Sequence, residues 1–218
     1  MTGTELIQAV RDLLGEDTPA AFSDALILRQ INHAYRELYS EIVENNENYF
    51  ATTATINWVA STEAYTLPTT SKLLYIEITT ATGIYKDTKV TFIDLSKRWE
   101  YVEPSGIDVN AEVDRKVYLL GNTVGVLPVP TSAVTAAMRV YHVPPLTALV
   151  AGTSPPLEWS TDHHEVIAWG ALRRLLVRDK EAMAEISPTF NRLKLLLLNA
   201  TSARETQEPQ MIVDTYGV

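Results

Sequence analysis

Two stretches of helical apolar spacing, one near each end of the chain, enclose a middle in which that spacing stops and β-branched residues take over. This order constrains the fold more than any single motif does. Apolar stripes separated by so long a gap must be buried against each other, with the middle folding as its own layered unit. In residues 1–50, Leu6, Val10, Leu13 and Leu14 recur at helical spacing, and Gly15 follows as a stop. Ser23 is placed to cap a longer helix, with Asp24 in its first turn. Leu28, Ile31, Tyr35, Leu38 and Ile42 form that helix's apolar stripe, while Arg29, His33, Arg36, Glu37 and Glu41 face away.

The middle, residues 51–156, holds 12 threonines between Thr52 and Thr91 and 8 of the chain's 11 prolines between Pro68 and Pro156. Ala54, Ile56 and Trp58 alternate with Thr53, Thr55 and Asn57, the period of a strand with one face buried. Residues 116–120, the pair Gly121-Asn122 and residues 123–127 read as a hairpin. A further alternating run at 136–143 ends at Pro144-Pro145, because proline cannot donate to a ladder. Leu95, Trp99 and Val102 suggest a short helix lying on the sheet over 92–102. Trp58, Tyr75, Tyr85 and Trp99 are expected in the core.

Beyond residue 157 the helical period returns. Ser160 or Thr161 would cap a helix whose stripe is Val166, Trp169, Leu172, Leu175 and Leu176, and Ala168, Gly170 and Ala171 would let a second helix come close. Ser187-Pro188 reads as the start of another helix, with proline at its first position. That helix is apolar nearly all round, through Phe190, Leu193, Leu195, Leu196, Leu197 and Leu198. The expected fold is α+β: a helical bundle with two N-terminal and two or three C-terminal helices and an inserted antiparallel β domain. The helical core is assigned to 1–50 and 157–202, the insertion to 51–156, and an arm to 203–218.

Composition narrows the function classes. No cysteine is present, which removes disulfides, thiolate metal sites and a cysteine nucleophile. No apolar run approaches the ~20 residues of a membrane span, and the first residues lack a signal peptide's pattern, so a soluble protein with no membrane partner is expected. The net charge is −9, from 18 basic and 27 acidic side chains, which opposes nucleic-acid affinity through bulk charge. Residues 1–50 carry 3 basic and 9 acidic side chains, so −6 of that charge is concentrated there.

The chemical motifs are weak. In His163-His164-Glu165, neighbouring helical residues point ~100° apart, whereas a zinc pair takes i and i+4. A solvated first helical turn is the expectation. His33 is expected at the surface and His142 as a satisfied, partly buried imidazole. No nucleophile elbow, P-loop or dinucleotide fingerprint occurs, so no catalytic residue, metal or cofactor is expected. Arg173, Arg174, Arg178 and Lys180 form a basic cluster of the kind a helix C-terminus favours. The polar tail retains apolar anchors at Met211, Ile212, Val213 and Tyr216, which suit either a loose end or an arm that docks into a partner. Two rival readings stand: a small hydrolase using His163, His164 and Glu165, and a nucleic-acid-binding module using Arg173, Arg174 and Arg178.

Three segments go further. Arg98-Trp99-Glu100-Tyr101, the hairpin from Tyr118 through Gly121-Asn122 to Pro130, and Tyr141-His142-Val143-Pro144-Pro145-Leu146 form one pattern with Pro156-Leu157-Glu158-Trp159 leading into His163-His164-Glu165. That layout resembles head-to-tail connector (adaptor) proteins of tailed bacteriophages, of the short-tailed type. The resemblance implies a structural virion protein and not an enzyme. It would form a ring between the portal protein and a tail nozzle or tube, with twelve copies matching the portal's symmetry. Double-stranded DNA would pass through the ring without specific binding during packaging, retention and ejection. The implied place is the head–tail junction of the virion, with the host cytoplasm before assembly. The arm with Met211, Ile212, Val213 and Tyr216 would dock on the portal. Glu37, Glu41, Glu44 and Glu47 would face the lumen and repel phosphates, and Leu195, Leu196 and Leu198 would form a subunit interface. Some related connectors degrade cell wall, but no matching acid motif occurs here.

Overall fold

The computed structural model describes residues 1–15, 21–79, 85–101, 116–152 and 163–203. The fold is α+β. The chain divides into two compact units: Met1–Phe50 with Leu146–Val218, and Ala51–Pro145.

The helical unit begins with α1 (Gly3–Leu14), held at its start by a reciprocal capping box. Glu5 N donates to Thr2 Oγ1 at 3.1 Å and Thr2 N donates to Glu5 Oε2 at 2.7 Å, which satisfies two otherwise orphaned amides. Gly15 ends the helix at φ 69°, a left-handed conformation that a side chain resists. Leu6, Ile7 and Val10 are buried, whereas Leu13, expected in the stripe, is exposed. The buried arc is rotated towards Ile7 and Arg11, and Arg11 donates to Phe22 O at 3.1 Å and pairs with Asp24.

In α2 (Asp24–Asn45), Ser23 caps as expected, accepting from Leu26 N at 3.3 Å. Its buried face runs through Ile27, Ile31, Ala34, Tyr35, Leu38, Tyr39 and Ile42. Against it packs α3 (Glu165–Leu175), which turns Val166, Ile167, Ala168, Gly170, Ala171 and Leu172 inward. A Cβ on Gly170 would stand 2.9 Å from Ala34 Cβ and 3.1 Å from Phe190 Cε2, so glycine sets how closely these helices approach. The expected cap at Ser160 or Thr161 lies outside the described residues.

Helix α4 (Lys180–Ala203) corrects the expected start at Ser187-Pro188. Asp179 is the effective cap: its Oδ1 accepts from Glu181 N at 3.0 Å and Ala182 N at 3.1 Å. Pro188 therefore lies inside the helix, at the cost of one ladder bond. Ile186, Phe190 and Leu197 are buried. Leu146–Gly152 also belongs to this unit. Leu149 is pinned by Asn32, which donates to its carbonyl at 3.0 Å and accepts from its amide at 2.7 Å.

The second unit has two four-stranded sheets. One runs β1 (Thr52–Trp58), β8 (Val134–Val143), β3 (Lys72–Thr79), β4 (Tyr85–Lys89), all antiparallel. The other runs β2 (Ala64–Thr66), β7 (Thr123–Leu127), β6 (Lys116–Leu120), β5 (Thr91–Phe92). Its β5–β6 pair is parallel, a departure from the expected antiparallel insertion. The sheets share one core in which Trp58, Ile76, Met138 and Val140 meet Tyr65, Val117, Val124 and Val126. Gly121, at φ 58°, turns the β6–β7 hairpin. The helix expected at 92–102 is a 3₁₀ helix over Leu95–Tyr101 with no buried residue.

Candidate interaction surfaces

The expected lumen acids are divided by the fold. Glu37 Oε2 accepts from Arg174 Nη2 at 2.6 Å, and Glu41 Oε1 accepts from Lys194 Nζ at 2.6 Å. These pairs join α2 to α3 and α4, so two of the four carboxylates are neutralised within the unit. Glu44 and Glu47, nearer the helix end, are exposed.

The same geometry weakens the nucleic-acid reading. Arg174 is engaged by Glu37, and the Arg173 guanidinium lies 5.1 Å above the Phe190 ring. Two of the cluster's cations, Arg173 and Arg174, are thus engaged between the helices, while Arg178 and Lys180 are exposed.

His164 overturns the expectation of a solvated first turn. It is 4% exposed, and its Nδ1 lies 2.7 Å from the Met1 amino nitrogen. Glu165 Oε1 instead accepts from Trp169 Nε1 at 3.0 Å, along the helix. Among the described residues no group of His, Asp and Glu converges as a metal site would need. Among the described residues the hydrolase reading therefore has no metal-binding constellation behind it.

On α4, Leu195 and Leu196 are 58% and 52% exposed, while Leu198 is half-buried. Burying such a pair would remove apolar surface from water at about 25 cal/mol per Å². The arm anchors Met211, Ile212, Val213 and Tyr216 lie outside the described residues. Between α2, α3 and α4 opens a cleft of about 250 Å³, lined by Gly170, Val177, Met183 and Phe190, with Glu37, Arg173 and Arg174 at its polar side.

In the β unit, sequence reasoning missed a constellation around Trp99, which it placed in the core. Trp99 is 74% exposed. Beside it the Arg98 guanidinium stands 5.0 Å from the Trp99 ring and 5.6 Å from the Tyr118 ring. Arg98 Nη2 also lies 3.4 Å from Glu63 Oε1, the atom that accepts the Tyr118 hydroxyl. Trp58 is buried as expected, and Tyr75 is half-buried and stacked on Tyr141 at 4.1 Å. His142 is buried. The missed signal was the Arg-Trp dipeptide, since an Arg beside an exposed ring holds it by cation–π attraction.

Burial pushes the Tyr118 hydroxyl above the ordinary value of 10.0, and the Glu63 carboxylate that accepts its hydrogen bond raises it further. Burial and then Tyr141 raise Tyr75 from the same value. With folded values above unfolded ones, the unfolded chain releases these protons first. The stabilisation is therefore whole below pH 10.0 and is lost as pH climbs through the raised values. A melting series from neutral to alkaline pH should show this fall, and Tyr118→Phe should make it shallower. An unchanged slope in that variant would remove Tyr118 as a source.

Among the described residues no helix is long and apolar enough to cross a membrane. A family model described as SU10 adaptor protein matches residues 1–211. No curated protein matches the chain.

Proposed function

We propose, since this chain belongs to the SU10 adaptor protein family of phage structural adaptors, that its copies form a ring joining portal to tail at the head–tail junction of the virion. DNA passes through that ring during packaging, retention and ejection. The family match over 1–211 carries this reading. The exposed Leu195 and Leu196 support it as a contact between copies, extended by Leu198. A ring needs heterologous contacts, with different faces of each copy meeting.

In this reading residues 203–218 form the arm, with Met211, Ile212, Val213 and Tyr216 docking on the portal. The opposite end of the ring receives the tail nozzle or tube, and twelve copies match the portal. Glu37, Glu41, Glu44 and Glu47 face the lumen in this reading, Glu37 and Glu41 being also tied to Arg174 and Lys194. The protein waits in the host cytoplasm until a portal is available.

Mixing the full chain with purified portal, followed by sedimentation, tests the reading. A single species containing portal and a full complement of this chain is expected. Truncation after Ala203 should weaken portal binding at least tenfold, a loss of about 1.4 kcal/mol. Failure of the full chain to associate with portal would overturn the role. Undiminished binding by the truncated chain would overturn the arm alone.

A further inference from the structure

Among the described residues four strands lie at sheet edges, and one of them is both long and unguarded. β2 has three residues and β5 two, while β4 carries Lys86, Asp87 and Lys89. β1 has seven residues, with neither a charge nor a proline. It pairs with β8 on one side, and no described strand pairs with its other side. Its register is regular from Thr52 to Ile56 and shifts between Ile56 and Trp58. Charge, proline and brevity are what keep an edge from pairing, so β1 is open to an added strand. On its core side Ala54 and Ile56 are only half-buried, and Ile56 packs against the core from this edge.

The chain carries one segment suited to that edge. Of the stretches outside the described residues, 16–20 and 80–84 have five residues each, 102–115 holds Pro104 and four acidic side chains, and 153–162 holds Pro155 and Pro156. Residues 211–216 have no proline or glycine and a single charge, and Met211 and Val213 stand two positions apart, the period of one strand face. Their tether also starts close to β1. Thr201 O, near the end of α4, accepts from Asn46 Nδ2 at 3.0 Å, and both residues are buried. Thr52 follows Asn46 by six residues, so β1 begins within about 22 Å of Asn46. Residues 204–210 reach about 25 Å when extended, which spans that gap.

We infer that, in the chain free of portal, residues 211–216 add as a strand to the open edge of β1 in the same copy. Both segments set out from the Asn46–Thr201 contact, so the arm runs parallel to β1. Met211 and Val213 then lie beside Ala54 and Ile56, and Asp214 falls on the exposed side with Thr53 and Thr55. A short tether holds the arm near millimolar effective concentration, which favours the chain's own segment over a loose competitor. Edge and arm thus cover each other until portal takes the same anchors. The exchange rests on the portal reading above, whereas the stored contact does not.

Hydrogen exchange of the free chain, read by mass spectrometry on fragments covering β1, tests the contact. Two variants serve as controls, a chain truncated after Ala203 and Met211→Asp combined with Val213→Asp, and neither changes a described residue. In the full chain the β1 amides that point away from β8 should exchange at least tenfold more slowly than in the truncated chain. The double variant should exchange like the truncated chain, because a carboxylate placed beside Ile56 loses its water. A synthetic peptide of residues 209–218 should restore protection to the truncated chain. Equal exchange in the full and truncated chains would overturn the contact. Protection that rises with protein concentration would put a second copy at the edge, which also overturns it. Adding purified portal to the full chain should release the protection. If portal binds and β1 stays protected, the contact stands and the docking of the arm on portal falls. If portal does not bind, the ring role falls and protection in the free chain still upholds the contact.

Discussion

Replacing Phe190 with alanine is expected to destabilise the helical unit by about 3–5 kcal/mol, the range for deleting a buried aromatic ring. Phe190 is 2% exposed, and the helix bearing Gly170 approaches its ring to the limit that glycine allows. Its loss leaves a cavity where α3 and α4 meet, and Arg173 loses the ring beneath its guanidinium. Domains of this kind have net stabilities of only about 5–15 kcal/mol, so the change should be severe. In a urea titration followed by helical circular dichroism, the midpoint should fall with an unchanged slope. Phe190→Leu refills much of the volume and should recover most of the loss. A shift below about 1 kcal/mol for the alanine variant would mean that α4 collapses onto Gly170 and heals the cavity.

Gly125→Ala is expected to cost at least about 2 kcal/mol in the β unit, through overpacking and a lost hydrogen bond to a charged acceptor. The added methyl would occupy the space of the Tyr118 ring end, and Tyr118 is 4% exposed with its hydroxyl bound to Glu63. The ring must leave, which strips one support from Arg98 and hence from Trp99. The emission spectrum of Trp99 should change along with the melting temperature. Adding Tyr118→Ala removes the clash, so the double variant should be less destabilised than the sum of the single changes. Strict additivity would show that Gly125 matters for the strand backbone and not for the tyrosine.

Much of the helical unit was legible because its signals are local. Ser23, Gly15 and the i, i+3, i+4 spacing of Ile31, Tyr35, Leu38 and Ile42 act within one or two turns. The same holds for Gly121 in the hairpin and for alternation along β8. Pro188 misled because its missing amide suits a first turn, but Asp179 offered a stronger cap eight residues before Ser187 and the helix absorbed the proline. Trp99 misled because hydrophobicity ranks tryptophan as core, while its cation–π support from Arg98 leaves the outer face open.

By itself the sequence determined the class of the fold, the helix and strand periods, the stops, and the concentration of acid near the N-terminus. Tertiary structure alone decided which charges are spent. Arg174 finds Glu37 across 137 residues and Lys194 finds Glu41 across 153. It also turned Leu13 outward, buried His164, and left Leu195 and Leu196 in the open. The reason is range: a cap or a period is written within a few neighbouring residues. Which arc of a helix faces inward, and which carboxylate meets which cation, depends on where the other helices lie.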